Sequence, residues 1–222
     1  MATVSQGAAI VLTCILDFLF PRRCLGCGVE GRYLCRRCHP MAVPRCPRCG
    51  ATAGCSCWVG SPLDAVASLG AYHGLLALAI RTMKYRGVAD IARELGEALG
   101  SAVAAGEVLV PVPLHPQRER ERGYNPAALL ARAAAHRRGK VARCLKRVRA
   151  TPTQVGLDAA ARRRNVAGAF ALAGSLPPAL VLIDDVITTG ATLEECARAA
   201  RAAGVRAVRA LVVAHAQLDK DR

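Results

Sequence analysis

The chain has 222 residues, of which 53% are hydrophobic and only 4% aromatic. This composition excludes a disordered polyelectrolyte and suits an Ala-, Leu- and Val-rich core of roughly 150 residues with a small appendage. The formal net charge is +15, and +11 of it lies in residues 113–165 while residues 166–222 are neutral, so the excess is a localised surface, suited to polyanions such as nucleotides, diphosphates or nucleic acid, and not a basic tail.

In chain order, residues 8–20 (AAIVLTCILDFLF) come first. They are apolar, but no basic region precedes them, Asp17 interrupts them, and they fall short of the roughly 20 residues needed to span a bilayer. The expectation is a short amphipathic helix in a cytoplasmic protein with no membrane span. In a reducing compartment, clustered cysteines are metal ligands before they are disulfides. Eight of the eleven cysteines fall within residues 24–57: CLGC (Cys24, Cys27), CRRC (Cys35, Cys38), CPRC (Cys46, Cys49) and CSC (Cys55, Cys57). A CxxC knuckle holds two thiolates along one edge of a tetrahedron, and two knuckles close a structural Zn²⁺ site. Sequential pairing gives one ion on Cys24, Cys27, Cys35 and Cys38 and another on Cys46, Cys49, Cys55 and Cys57. A single ion on two of the CxxC pairs is the alternative, because CSC has one residue too few for an ordinary knuckle. A module this small needs its metal to fold. It is assigned, with the helix before it, to residues 1–60. Gly60, Ser61 and Pro62 then read as a linker to a main domain over 61–222.

In that domain, residues 66–72 (VASLGAY) read as a strand and 74–86 as a helix, from the apolar spacing of Leu75, Leu76, Leu78, Ala79, Ile80 and Met83. A helix over about 89–105 and a buried strand over 107–113 follow. Asn125 and Pro126 supply the cap and first-turn proline of a helix running to about Arg137. Residues 145–170 lack a clear period and read as a mobile excursion with room for a hairpin. Residues 179–184 (ALVLID) form an apolar strand, 188–192 a turn, 193–203 a helix stopped by Gly204, and 207–213 the next strand. Strand and helix alternation predicts an α/β fold: a parallel sheet flanked by helices, with a ligand site at the carboxyl ends of its strands.

The sequence VLIDDVITTGAT places Asp184 and Asp185 at the end of that strand, followed by Thr188, Thr189, Gly190, Ala191 and Thr192 at a helix start. Amides of a first helical turn and threonine hydroxyls cradle a phosphate, and Gly190 allows close backbone approach. The carboxylates accept hydrogen bonds from vicinal hydroxyls or hold a hydrated Mg²⁺. Together these describe a ribose 5-phosphate site. A Walker A loop is excluded by the missing Gly-Lys-Ser/Thr, and a dinucleotide fold by the missing GxGxxG after a strand. Arg118, Arg120 and Arg122 leave the carboxyl end of the strand ending VPVPLH, facing the same crevice. Lys146, Arg147, Arg149, Thr151, Gln154, Arg162, Arg163 and Asn165 add donors from the excursion.

VLIDDVITTGAT resembles the phosphoribosyl diphosphate (PRPP) motif of type I phosphoribosyltransferases. That resemblance implies a ribose held by Asp184 and Asp185 and a 5-phosphate held by Thr188, Thr189, Gly190, Ala191 and Thr192, with Mg²⁺ accompanying PRPP. The set MKYRG (83–87), VPVPLH, RGYNPA, RATPTQ and RRRNVAGAF, behind a cysteine module, is similar to the ComF family of competence proteins across residues 24–213. The family resemblance implies a type I phosphoribosyltransferase-like domain after a double zinc ribbon. It also implies a diphosphate loop at Val112, Pro113 and Leu114, and a crevice lined by Lys84, Arg118, Arg122, Gln154 and Arg163. The implied role is DNA uptake in natural transformation, with contacts to single-stranded DNA and the uptake machinery. Tyr85, Tyr124 and Trp58 are the candidate stacking aromatics. The alternative is an active phosphoribosyltransferase, a glycosyltransferase of nucleotide metabolism, with an unidentified acceptor and no assigned catalytic residue. Only nine residues follow Val213, too few for a C-terminal base-binding hood, which favours DNA uptake over conventional salvage.

Overall fold

The computed structural model describes residues 21–38, 43–136, 138–149, 159–174 and 176–216. The expected helix over 8–20, and Thr151 and Gln154, lie outside the described residues. The side chain of Arg162 does too, although its backbone is part of a helix. Two compact units form, residues 1–40 and 41–222.

In the second unit the elements are β1 (Ala65–Ala71), α1 (Gly74–Tyr85), α2 (Ile91–Leu99), β2 (Val108–Pro111), α3 (Pro116–Arg122), α4 (Pro126–Ala135), β3 (Lys140–Val141), β4 (Leu145–Arg147), α5 (Ala159–Val166), β5 (Phe170–Leu172), β6 (Ala179–Ile187), α6 (Ala191–Ala202) and β7 (Ala207–His215). Five strands form one sheet in the order β1-β7-β6-β2-β3, all parallel. The α/β fold read from the sequence is therefore present. β6 is central, and Leu180, Val181, Leu182 and Ile183 are buried. Burial of each such side chain is worth roughly 1.5–3 kcal/mol, which explains why this segment reads as unbroken apolar sequence. β4 and β5 pair antiparallel as a separate two-stranded sheet, with α5 between them in the chain in place of a tight hairpin turn.

Chain direction fixes where a ligand can sit. After β2 the chain moves outward to β3, whereas after β6 it crosses to β7 on the other side. The switch point lies between β2 and β6, and a crevice opens at their carboxyl ends. α1 lies at that same edge. It begins just after Tyr72, whose N–H bonds to the carbonyl of His215 at the end of β7. Its last turn reaches Asp185 near the end of β6. With both ends at the carboxyl edge, its 12 residues span about 18 Å across the strand tips, enough to cover three neighbouring strands about 4.8 Å apart.

The second element pair packs on the sheet face. α2 lies against α4 so closely that a Cβ on Gly96 would sit 2.5 Å from the Cβ of Ala133 and 2.7 Å from the carbonyl oxygen of Leu130. No helix among the described residues is long and apolar enough to cross a membrane.

Candidate functional site

β6 continues in register with β7 through Asp184, opposite Val212, to Ile187 opposite His215. The acidic pair is thus held on rigid strand and not on the loop. Asp185 is buried and Asp184 partly so. The Asp185 N–H donates to Asp184 Oδ1 at 2.8 Å. Two adjacent buried carboxylates repel and resist ionisation together. Burial, then the neighbouring Asp185 charge, pushes the Asp184 carboxyl up to about 7, against an opposing pull from Lys84. Lys84 answers the second carboxylate from the last turn of α1, its Nζ 2.6 Å from Asp185 Oδ1. Burial alone would lower the Lys84 ammonium, yet the Asp185 charge and hydrogen bond leave it raised above 10.5.

The turn over residues 188–192 follows directly. Gly190 adopts φ +82°, the left-handed region that favours glycine, and caps α6, which starts at Ala191, two residues before the sequence-based expectation. Thr189 Oγ1 accepts from the Ala191 N–H at 3.4 Å. Thr188 is exposed, Thr189 and Thr192 are half-buried, and Gly190 and Ala191 are buried. Of the turn's residues, Thr188 is the one fully open to solvent.

Across the switch point, the Val112 N–H donates to the Ile183 carbonyl at 2.9 Å, which sets Val112, Pro113 and Leu114 beside the acidic pair's strand. Asn125 ties this loop to the next helix: Nδ2 donates to the Val112 carbonyl at 3.0 Å, while Oδ1 accepts the Ala127 N–H at 3.0 Å. The Tyr124 hydroxyl donates to the Met83 carbonyl, and the Arg122 guanidinium carbon stands 5.7 Å from the centre of the Tyr85 ring. The MKYRG, VPVPLH and RGYNPA segments, remote in sequence, are stitched into one rim.

Arg118, Arg120 and Arg122 lie on α3, a helix that the sequence reading did not place. His115 caps it by accepting the Gln117 N–H, Pro116 occupies its first position, and Gln117 bonds Glu121 one turn on at 2.9 Å. None of its residues is buried, so no apolar period announced it. Arg163 is exposed on α5. Arg149 braces that helix by donating to the carbonyls of Asn165 and Ala167. Arg147, not singled out from its neighbours in the sequence, sits on β4 with its guanidinium 5.4 Å from the Phe170 ring centre. Burial, then the nearby Arg118, presses its charge down, while Cys196 opposes that. Cys196 is raised well above 9.0 by burial and then by Asp184. Arg147 therefore lies close to Cys196 of α6.

A cavity of about 430 Å³ opens at the opposite edge, among Asp64, Glu107, Pro178, Val181 and Arg209. It is mainly apolar and remote from the groups just described.

Eight cysteines form two tetrads, Cys24, Cys27, Cys35 and Cys38, then Cys46, Cys49, Cys55 and Cys57, with the four sulfurs of each within 4.8 Å of one another. A tetrahedral zinc with Zn–S near 2.3 Å needs sulfurs about 3.8 Å apart, and Cys27 and Cys35 Sγ are already 3.6 Å apart. The arrangement matches sequential pairing. The leading knuckles share one geometry. Gly28 (φ +75°) and Gly50 (φ +76°) donate to the Cys24 and Cys46 carbonyls at 2.8 and 2.9 Å. Burial raises the Cys24 thiol, but backbone N–H groups led by that of Cys35 outweigh it and hold it at about 6. Cys46 is held at about 7 against burial by the N–H groups of Arg48 and Cys49 and by Cys55 and Trp58. Both tetrads fit a thiolate-bound metal. The second belongs to the sheet unit: Cys46 and Trp58 lie in its core, Arg48 stacks 4.0 Å over Trp58, and Arg45 bridges to Ser68 on the open edge of β1.

No family model matches the chain. Competence protein F of Haemophilus influenzae is 32% identical, over 89% of this chain and 98% of that protein. DNA utilization protein YhgH of Salmonella typhi is 32% identical over 74% of this chain and 81% of its own length. The protein of the same name from Escherichia coli K12 is 30% identical over 79% and 86%.

Proposed function

The chain belongs to the ComF family of competence proteins, and from that premise we propose that it is a PRPP-binding, phosphoribosyltransferase-like protein acting in DNA uptake. The observation that carries the ligand assignment is the Lys84–Asp185–Asp184 cluster at the switch point, with the 188–192 turn directly after it. Buried carboxylates on a rigid strand are costly unless a ligand uses them. In this reading Asp184 and Asp185 accept the ribose hydroxyls, and Thr188, Thr189, Gly190, Ala191 and Thr192 take the 5-phosphate. Val112, Pro113 and Leu114 face the diphosphate, and Lys84, Arg118, Arg122, Gln154 and Arg163 supply positive charge and donors. The carboxylates are hard oxygen donors that suit Mg²⁺, which supplies charge neutralisation for the diphosphate when bound. The cysteine tetrads take structural zinc, since four thiolates leave no open coordination position.

The names of the relatives, a competence protein and a DNA utilization protein, support the role in DNA uptake. In this reading the chain works on the cytoplasmic side, alongside single-stranded DNA and the uptake machinery. The central +11 segment suits a polyanionic strand. Titration calorimetry with Mg-PRPP tests the site: one molecule bound per chain is expected, and loss of binding in Asp184→Ala/Asp185→Ala. Silence from the wild type would overturn the assignment. The same cluster favours a second reading, transfer of ribose 5-phosphate to an acceptor, because cationic side chains beside a diphosphate stabilise its departure. Diphosphate release in the presence of an acceptor separates turnover from binding alone.

A further inference from the structure

We propose that Tyr85, held by Arg122, is a stacking face for a nucleobase at the mouth of the crevice. The inference rests on the reading of the crevice as a ribose-phosphate site and names what lies next to it. Three aromatics were candidates from sequence, and the structure separates them. Trp58 is 3% exposed and Tyr124 is half-buried with its hydroxyl bound to Met83, whereas Tyr85 is 76% exposed. Among the described residues it is the only exposed aromatic side chain: Tyr33 and Tyr72 are half-buried and Phe170 is buried.

Its position is set from both sides. Tyr85 ends α1, the helix that lies across the strand tips, and follows Lys84, whose ammonium is on Asp185. Arg122 approaches the ring within the roughly 6 Å over which a cation and an aromatic face attract. The approach leaves most of the ring exposed, with area for a planar partner. Arg81 and Arg86 are exposed on the same segment. An accessible aromatic among cations is the arrangement that binds unpaired bases and their backbone phosphates. A base attached to, or about to be joined to, a ribose held by the acidic pair would emerge at this rim. The ligand chemistry is a planar nucleobase, supplied either by a DNA strand or as a free base.

The test uses the full-length, metal-loaded protein as wild type, Tyr85→Ala and Tyr85→Phe. Anisotropy with a labelled oligothymidylate of about 20 nucleotides, at several salt concentrations, reads the strand. Saturation-transfer NMR with adenine, guanine and uracil reads the free base. Tyr85→Ala is expected to weaken strand binding by roughly tenfold or more with an unchanged salt slope, since no charge is removed. Tyr85→Phe should stay within about twofold of wild type, because a ring stacks without its hydroxyl. Loss confined to free bases identifies those as the ligand. Wild-type affinity for both ligands in Tyr85→Ala, equal losses in Ala and Phe, or no binding of either ligand by the wild type would overturn the inference. Calorimetry of Tyr85→Ala with Mg-PRPP keeps the two readings apart: retained heat with lost base binding supports both. A wild type silent to PRPP refutes the crevice reading alone.

Discussion

Asp184→Asn should make the ligand-free protein more stable, and increasingly so as pH rises. Burial and Asp185 push the Asp184 carboxyl from its ordinary 3.8 to about 7. The native state therefore keeps a proton that the unfolded chain releases near pH 4. Between those values the native state binds more protons, so stability falls as pH rises. Three pH units at about 1.36 kcal/mol each set a ceiling of about 4 kcal/mol, present as a cost at pH 8 and absent at pH 4. Asparagine removes the ionisation but still accepts the Asp185 N–H through Oδ1. Lys84, raised above 10.5 by Asp185, contributes stability that stays in place throughout this window and is lost only above it. His215, lowered by burial, works in the opposite direction at mildly acidic pH, and comparison of the two proteins cancels it. Urea unfolding from pH 4.5 to 8.5 in Mg²⁺-free buffer is the assay. The difference curve should rise to about 2–4 kcal/mol, or roughly 5–10 °C in melting temperature. An asparagine variant of unchanged or lower stability at pH 8 would refute the reasoning.

The remaining predictions concern packing and metal. Gly96→Ala should cost about 1–3 kcal/mol, because the new methyl meets Ala133 and the Leu130 carbonyl well inside contact distance; thermal unfolding reads it directly, and a neutral result would mean that α2 and α4 can part freely. Metal analysis should give two zinc ions per chain, one per tetrad. Cys46→Ser should lower that to one and destabilise the sheet unit by on the order of several kcal/mol, since Cys46 and Trp58 are part of its core.

Strong local patterns made much of this fold legible. The apolar run of β6 announced a buried strand, Asn125 and Pro126 announced α4, and the acidic pair with its following turn falls where the sequence puts it, at the junction of β6 and α6. CxxC spacing likewise anticipated sequential tetrads. Elements without an apolar period were not legible. α3 is polar on every side and is held by a histidine cap, a proline and an i,i+4 pair; α5, rich in arginine, gave no periodicity; β3 has only two residues. Tertiary effects were also hidden. Sequence places Trp58 in the cysteine module and among the stacking candidates, yet it lies in the sheet unit's core. Arg147 looks like any arginine of a basic run until β4 carries it close to Cys196 of α6. The meeting of Lys84 with Asp185, 101 residues apart, depends on α1 crossing the strand tips, a geometry no local pattern specifies.

The central claim is that one crevice holds both ends of PRPP, and phosphorus NMR examines it most directly. With Mg²⁺ and a small amount of protein, the account predicts that the 5-phosphate and diphosphate resonances of PRPP both broaden with the wild type. Asp184→Ala/Asp185→Ala should leave both sharp. Unbroadened resonances with wild-type protein, or broadening that survives loss of both carboxylates, would contradict it.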